Sequence, residues 1–257
     1  MLKYRRKNPN NQDDLLPLDL RMVPLLQSTG FYGVARVAYL QLDWSLISAL
    51  VEGWRPETHT FHFSVGEVTI TLQDVGILLG LLVDGDAVIS DVTPRPDMSW
   101  RSYVAELFDK DPDPNKDMNG SRDASANDIR FQVLCYLVHL FGGVLFTDNS
   151  GGLFHPMFIH FIRDLDRCGD YAWGAAVLAY LYMELCKTSK KEVDEVAGCL
   201  LLLELWACER FPTLTPIRTS NPLFDARFWE GRAAAPCGLT YLAFINLFGL
   251  INPQLGF

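Results

Sequence analysis

The chain has 257 residues, of which 49% are hydrophobic and 21% charged, enough for one large domain or two small ones with a full core and no disulfide or metal staple. Its 22 basic and 31 acidic residues give a formal net charge of -9, which works against sequence-independent capture of a phosphate backbone. The six cysteines, Cys135, Cys168, Cys186, Cys199, Cys208 and Cys237, form no C-x-x-C pair and read as reduced core thiols of the cytosol or nucleus.

Residues 1–18 form a polar N-terminal tail. Its basic cluster Lys3, Arg5, Arg6 and Lys7 has no apolar run behind it, so a secretory signal is not expected. Such a cluster serves as a nuclear address or, more commonly, as a solvated tail. After Asp43, a plausible N-cap, Leu46, Ile47, Leu50, Val51 and Trp54 recur at helical spacing and stop at Arg55-Pro56. Thr58 to Phe63 then alternates polar with apolar, Ser64-Val65-Gly66 turns, and Glu67 to Thr71 alternates again, which predicts a hairpin over about 58–71. In that register His59, Phe61 and Phe63 share one face, and Thr58, Thr60 and His62 the other. Thr71 with Asp74 resembles a capping box for a short helix running through Val75 and Leu79 to Gly80. A small second ribbon, Leu81 to Val83 and then Asp84-Gly85, is expected next.

Residues 109–128 are almost free of apolar side chains and read as a loop between an N-terminal part and a helical C-terminal part. Helices are predicted over about 129–141 and 156–166. A tight corner at Gly169-Asp170 should lead into a long helix opened by Asp170 and carrying Trp173, Val177, Tyr180, Leu181 and Leu185. A last helix is expected over about 193–210. The stretches 131–147 and 233–257 carry no formal charge, but Gln132, His139 and Gly142-Gly143 interrupt the first and Pro236, Asn246 and Asn252 the second. Both read as buried helices rather than membrane spans. The expected fold is mainly α: a multi-helix globular bundle with a small antiparallel hairpin inserted before a short helix.

Candidate chemistry concentrates between Trp54 and Leu81. His59 and His62 suggest a metal site, but three positions apart on a strand they point to opposite faces, and a site needs three or four convergent ligands. Glu57, Glu67 and Asp74 could supply acid/base carboxylates. The local alternatives are that Glu57 pairs with Arg55, Glu67 sits at a turn and Asp74 caps a helix. Asp148 to Gly152 with His155 lacks both the nucleophile elbow and the phosphate loop and reads as a polar turn. Arg163 to Arg167 alternates in charge, as a solvated helical face closed by ion pairs would. The lysines, at positions 3, 7, 110, 116, 187, 190 and 191, lie in polar tails, the loop or a helix end, where a Schiff-base lysine is not desolvated. Trp44, Trp54, Trp100, Trp173, Trp206 and Trp229 lack an interleaved basic stripe and read as core or interface anchors.

The block WRPETHTFHFSVGEVTITLQDVGILLGLLVDG resembles the signature of the plant mobile domain, and FGGVLFTDNSGG, RDLDRCGDYAWGAAVLAYLYMELCKTS and GCLLLLELWACERFP resemble its later half in the same order. The residues that carry the first motif are Trp54, Arg55, Pro56, Glu57, Thr58, His59, Phe61, His62, Gly66, Glu67, Thr71 and Asp74. The second motif rests on Asp164, Gly169, Tyr171, Trp173 and Gly174. On this resemblance the domain covers residues 19–232, followed by a divergent apolar segment, 233–257, where family members continue into a Trp- and Arg-rich stretch. The resemblance implies a nuclear, non-enzymatic factor of transposon silencing, gene expression and meristem maintenance that works with a phosphatase-like partner. An older aminotransferase-like label for the family would imply pyridoxal phosphate, which the lysine positions do not support.

The expectation is therefore a protein-interaction module with no cofactor, metal, small-molecule substrate or membrane. A transposon-derived nucleic-acid-binding domain is the alternative, and would need Arg21, Arg36, Arg55, Arg95 and Arg101 to cluster on folding. An enzyme is the third reading, and would need Glu57, His59, His62 and Asp74 to converge in one pocket.

Overall fold

Asp19 opens the first element of the computed structural model, which describes residues 19–37, 42–89, 125–147, 158–190 and 196–211, together with Ser102 and Ala105. The Asp19 carboxylate accepts the Arg21 N–H at 2.9 Å and caps a 3-10 turn, Leu20–Met22. Two short helices come next, α1 (Val23–Ser28), with proline in its first turn, and α2 (Tyr32–Val37). At six residues each they are too short to show helical periodicity. Helix α3 (Trp44–Gly53) forms as its cap predicts: Asp43 Oδ1 accepts from the N–H groups of Ser45 and Leu46 at 3.0 and 3.2 Å.

Three antiparallel strands succeed it in spatial order β1 (Trp54–Arg55), β2 (Thr60–Phe63), β3 (Gly66–Val68). The β2–β3 hairpin is the expected one, with Phe61 opposite Val68, His62 opposite Glu67 and Phe63 opposite Gly66. Strand β1 is an addition: the chain leaves α3 already extended and folds back so that Trp54 pairs with Phe61. That return needs a turn at Pro56 to His59, which corrects the expected register. His59 and Thr58 lie in the turn rather than on β2. His59 closes it with φ 54°, its N–H donating to the Arg55 carbonyl at 2.9 Å, so it is exposed and does not share the buried face of Phe61 and Phe63. Histidine enters this left-handed region more readily than the β-branched threonines beside it.

Helix α4 (Leu72–Leu79) carries the predicted capping box and ends at Gly80 with φ 68°. No second ribbon forms after it. The backbone of 82–86 instead bonds far along the chain: Leu82 C=O accepts from Gly174 N–H at 2.7 Å, and Asp86 exchanges bonds with Asp170 and Ala172 at 2.9 and 2.8 Å. The signature block is thereby stitched to the second motif by main chain.

Helix α5 (Ala126–Leu140) begins three residues before the expected start, because Ser125 and Asp128, the polar end of the anticipated loop, make a second capping box. It runs into a π-turn, Phe141–Leu145, whose Phe146 N–H donates to the Phe141 carbonyl at 2.8 Å. The stretch 126–145 is long and apolar enough to cross a membrane, yet residues 131–138 are all buried within the protein. The single helix expected over 156–166 is two, α6 (Ile159–Ile162) and α7 (Leu165–Cys168), because Asp164 turns extended and caps α7 by accepting from Asp166 N–H at 3.1 Å. Helix α8 (Trp173–Thr188) opens at Ala172, not at Asp170, whose carbonyl is engaged by Asp86. Helix α9 (Leu200–Arg210) starts later than expected, just after Gly198 at φ 95°.

These elements share one core. Helix α8 packs on α4 and β1, while α9 packs on α3, α4 and the π-turn, and Trp54, Trp173 and Trp206 are fully buried. A mainly α protein with a small three-stranded sheet is what results.

Candidate functional site

Local capping builds the signature from its ends inward. Asp74 Oδ2 accepts from the Thr71 N–H and hydroxyl, both at 2.8 Å, while Thr71 Oγ1 accepts the Asp74 N–H at 3.2 Å. The other oxygen, Oδ1, receives Arg210 from the last turn of α9 at 2.5 Å. Burial alone would raise this carboxyl, but the Thr71 donors and the Arg210 guanidinium outweigh it and hold Asp74 below the ordinary carboxylate value. Its expected role as a helix cap holds.

On the outer face of the hairpin, Thr58 and Thr60 hydroxyls lie 2.7 Å apart, Thr60 donates to Glu67 Oε2 at 2.8 Å, and His62 Nδ1 stands 3.6 Å from Glu67 Oε1. Glu67 therefore sits in strand β3 and joins the two strands. Glu57 and Arg55 do not make the expected pair: the Arg55 guanidinium turns to the carbonyls of Trp54 and Glu52 at 3.3 and 3.5 Å, because β1 points it back along α3.

His59 stacks on Tyr182 of α8, with rings 5.7 Å apart and 4° from parallel. Tyr182 lies against Trp54 as well, at 5.1 Å, and its hydroxyl donates to the Ile70 carbonyl. Thr69 Oγ1 lies 2.6 Å from that hydroxyl and 2.7 Å from the His59 carbonyl, so two hydroxyl protons serve three short contacts. Trp54 Nε1 reaches Cys186 Sγ at 3.4 Å. Tyr182, Thr69, Arg210 and Phe211 are the residues that sequence reasoning missed. A tyrosine or a helix-end arginine more than 100 positions from its partner carries no local signal.

The second motif works differently. Asp164 caps α7. Gly169 leaves so little space that a Cβ there would lie 2.2 Å from the Ser28 carbonyl oxygen, and one on Gly174 would lie 2.8 Å from Val83 Cγ1. Tyr171 forms the bridge to Asp86. Trp173 donates from Nε1 to the Cys168 carbonyl at 2.8 Å and sits among Phe31, Phe141 and Phe158. These residues hold the frame. The alternating charges of Arg163 to Arg167 are partly paired as expected, Arg130 with Asp166 at 2.9 Å and Arg167 with Asp86 at 3.9 Å.

Among the described residues no group of three or more His, Cys, Asp or Glu side chains is arranged to hold a metal ion. Glu57, His59 and His62 are exposed on the turn and the outer strand face, whereas Asp74 is buried and faces Arg210. Of the arginines expected to cluster for nucleic-acid binding, Arg21 is bound to Asp19, Arg55 to backbone carbonyls, and Arg95 and Arg101 lie outside the described residues. So do residues 1–18, the 148–155 turn, Trp100, Trp229 and segment 233–257. Burial pushes the Cys168 and Cys199 thiols up to about 12, as inert core cysteines require.

Plant mobile domain is the family that matches, over residues 30–235. The Serine/threonine-protein phosphatase 7 long form homolog of Arabidopsis thaliana is 42% identical over 220 residues, covering 80% of this chain and 16% of that protein. From the same plant, Protein MAIN-LIKE 2 is 34% identical over 239 residues, 84% of this chain and 34% of its own. Protein MAINTENANCE OF MERISTEMS is 33% identical over 230 residues, 84% of this chain and 47% of its own. The chain thus spans less than half the length of each of these curated relatives. No solved structure matches. With both motif blocks built into one frame and matched along most of its length, the chain belongs to the plant mobile domain family.

Proposed function

We propose that the chain is a non-enzymatic protein-interaction module that works in the nucleus, in transposon silencing, gene regulation and meristem maintenance, beside a phosphatase-like protein. The observation that carries this reading is how the signature uses its polar groups. Asp74, Glu67, Thr60, Thr69 and Thr71 are bonded to one another or to the neighbouring helices, which stiffens the hairpin. A rigid platform exposing an imidazole stacked on a tyrosine suits recognition, since its groups lose little freedom on binding. Support for a phosphatase-like neighbour comes from a relative named for a phosphatase, in which the matched stretch is 16% of a far longer protein. A stretch that recurs inside chains of such different lengths behaves as a transferable unit.

The test is direct titration of the full chain with a serine/threonine phosphatase 7-like protein, in parallel with duplex DNA. The expected result is saturable binding to the phosphatase-like protein, weakened about tenfold or more by His59→Ala with His62→Ala while the far-ultraviolet spectrum is unchanged. Equal affinity in the double variant would sink the outer hairpin face as the contact. Affinity for DNA alone, falling steeply with salt, would replace this reading with nucleic-acid binding.

A further inference from the structure

The first turns of α5 and the break between α6 and α7 enclose a cleft of about 270 Å³. From α5 it takes Asn127, Arg130, Phe131 and Leu134, whose spacing puts them on one stripe of the helix. Arg163 and Leu165 form the other wall. Two positions apart, they would stand about 160° from each other around a regular helix. Asp164 between them is extended, at φ -99° and ψ 94°, so both turn to the same side and the helix break itself makes the wall.

Floor and rim differ in chemistry. Phe131, Leu134 and Leu165 are buried, whereas Asn127 and Arg163 are exposed. Arg163 makes no hydrogen bond or ion pair among the described residues. Arg130 gives Asp166 one N–H from each terminal nitrogen, at 3.2 and 2.9 Å, and its remaining donors are unclaimed among the same residues. The carboxylates nearby are committed: Asp128 Oδ2 accepts from the Ser125 N–H and hydroxyl at 3.1 and 2.7 Å, Asp164 Oδ1 caps α7, and Asp166 holds Arg130.

Size and charge together choose the occupant. Pockets for whole small molecules run to roughly 300–1,000 Å³, so this cleft has room for one or two side chains rather than a cofactor. A guanidinium without a partner calls for a single negative charge, and a planar carboxylate matches its fork. A phosphate, with nearly two charges, would be opposed by Asp128 in the wall and by Asp164 and Asp166 close by.

We propose that this cleft captures an acidic-apolar step of a partner protein, with the carboxylate on Arg163 and Arg130 and a short aliphatic neighbour over Phe131, Leu134 and Leu165. The surface is built from α5 and the second motif, so the inference does not depend on the outer hairpin face or on its phosphatase-like partner. It gives the broken helix a recognition task beside its place in the frame.

The probe is a blocked hexapeptide carrying glutamate then valine in a glycine-serine frame. It is titrated into the full chain labelled with nitrogen-15, and the Arg130 Nε–H and Asn127 side-chain amide signals are followed. Both should shift saturably at millimolar peptide. Affinity should fall about tenfold or more with Arg163→Gln, and equally when glutamine replaces the glutamate of the peptide. Because Arg163 is exposed and unpaired among the described residues, the variant should keep the natural urea midpoint. Absence of a saturable shift in the natural chain overturns the proposal, and so does equal affinity in Arg163→Gln. Tighter binding of a peptide with phosphoserine in place of the glutamate, or of duplex DNA, would overturn the carboxylate and give the cleft to phosphate.

Discussion

Between Trp54 and Gly80 most of the side-chain hydrogen bonds reach only a few residues along the chain; between Asp164 and Gly174 the main chain also meets distant main chain, at Ser28, Leu82 and Asp86. Thr71, Asp74 and Thr60 find partners within seven positions of themselves. A Cβ on Gly169 would meet the Ser28 carbonyl, and Gly174 donates its N–H to the Leu82 carbonyl, both far away in the sequence. A side-chain cap can be lost at the cost of one or two bonds, whereas a close backbone approach has no slack. The first region should therefore yield gradually to mutation and the second abruptly.

The largest effect is expected at the centre of the second region. Trp173→Ala empties a fully buried site flanked by Phe31 and Phe141 and should cost about 3–5 kcal/mol, read as a lowered urea midpoint. Gly169→Ala adds one methyl group at 2.2 Å from a backbone oxygen that cannot swing aside, for a loss of about 1–3 kcal/mol or more. Gly143→Ala, whose new methyl meets nothing within 4 Å, should show no such loss in the same urea titrations. If both alanines behave alike, the close approach to Ser28 is not what fixes Gly169.

In the first region, Asp74→Asn removes a charged cap and the partner of Arg210, at a cost of about 0.5–2 kcal/mol near neutral pH. The folded Asp74 carboxyl lies below its unfolded value of 3.8, so its contribution is complete above that value and is lost as pH falls through the lower, folded one. Urea midpoints of the two proteins should thus draw together as pH falls below the unfolded value, and a gap that stays constant through the acid range would separate the loss from the carboxylate. The smallest change is expected for His59→Gly. Relief of the left-handed backbone and loss of the stack on Tyr182 oppose each other, leaving melting within about 0.5 kcal/mol of the natural chain.

This same difference decided what could be read from the sequence. Asp43, Thr71 and Ser64 to Gly66 announce their cap, box and turn because donor and acceptor lie within a few residues, and the mainly α architecture with its hairpin follows from them. His59 looked like a strand residue because alternation continues through it; only the pairing of Trp54 with Phe61, set by the path out of α3, moves it into a turn. Leu81 to Gly85 looked like a ribbon because its hydrogen-bonding partner, the 170–174 segment, is invisible at that distance. Of the site itself, the polar groups of the signature were legible, but their attachment to Tyr182 and Arg210 was not, since both partners arrive on helices from the far end of the chain.

The π-turn after α5 has a consequence for how this chain tolerates insertions and deletions. Phe141 and Phe146, five residues apart, would stand about 140° from each other around a regular helix, yet here their rings are 5.4 Å apart and both address Trp173. The widened turn acts as one extra residue in the helical count. Removing a single residue between Gly142 and Leu145 would restore ordinary winding and leave Phe146 four positions after Phe141, about 40° away on the same face, so a one-codon deletion there should be absorbed by the turn and leave the aromatic core in register.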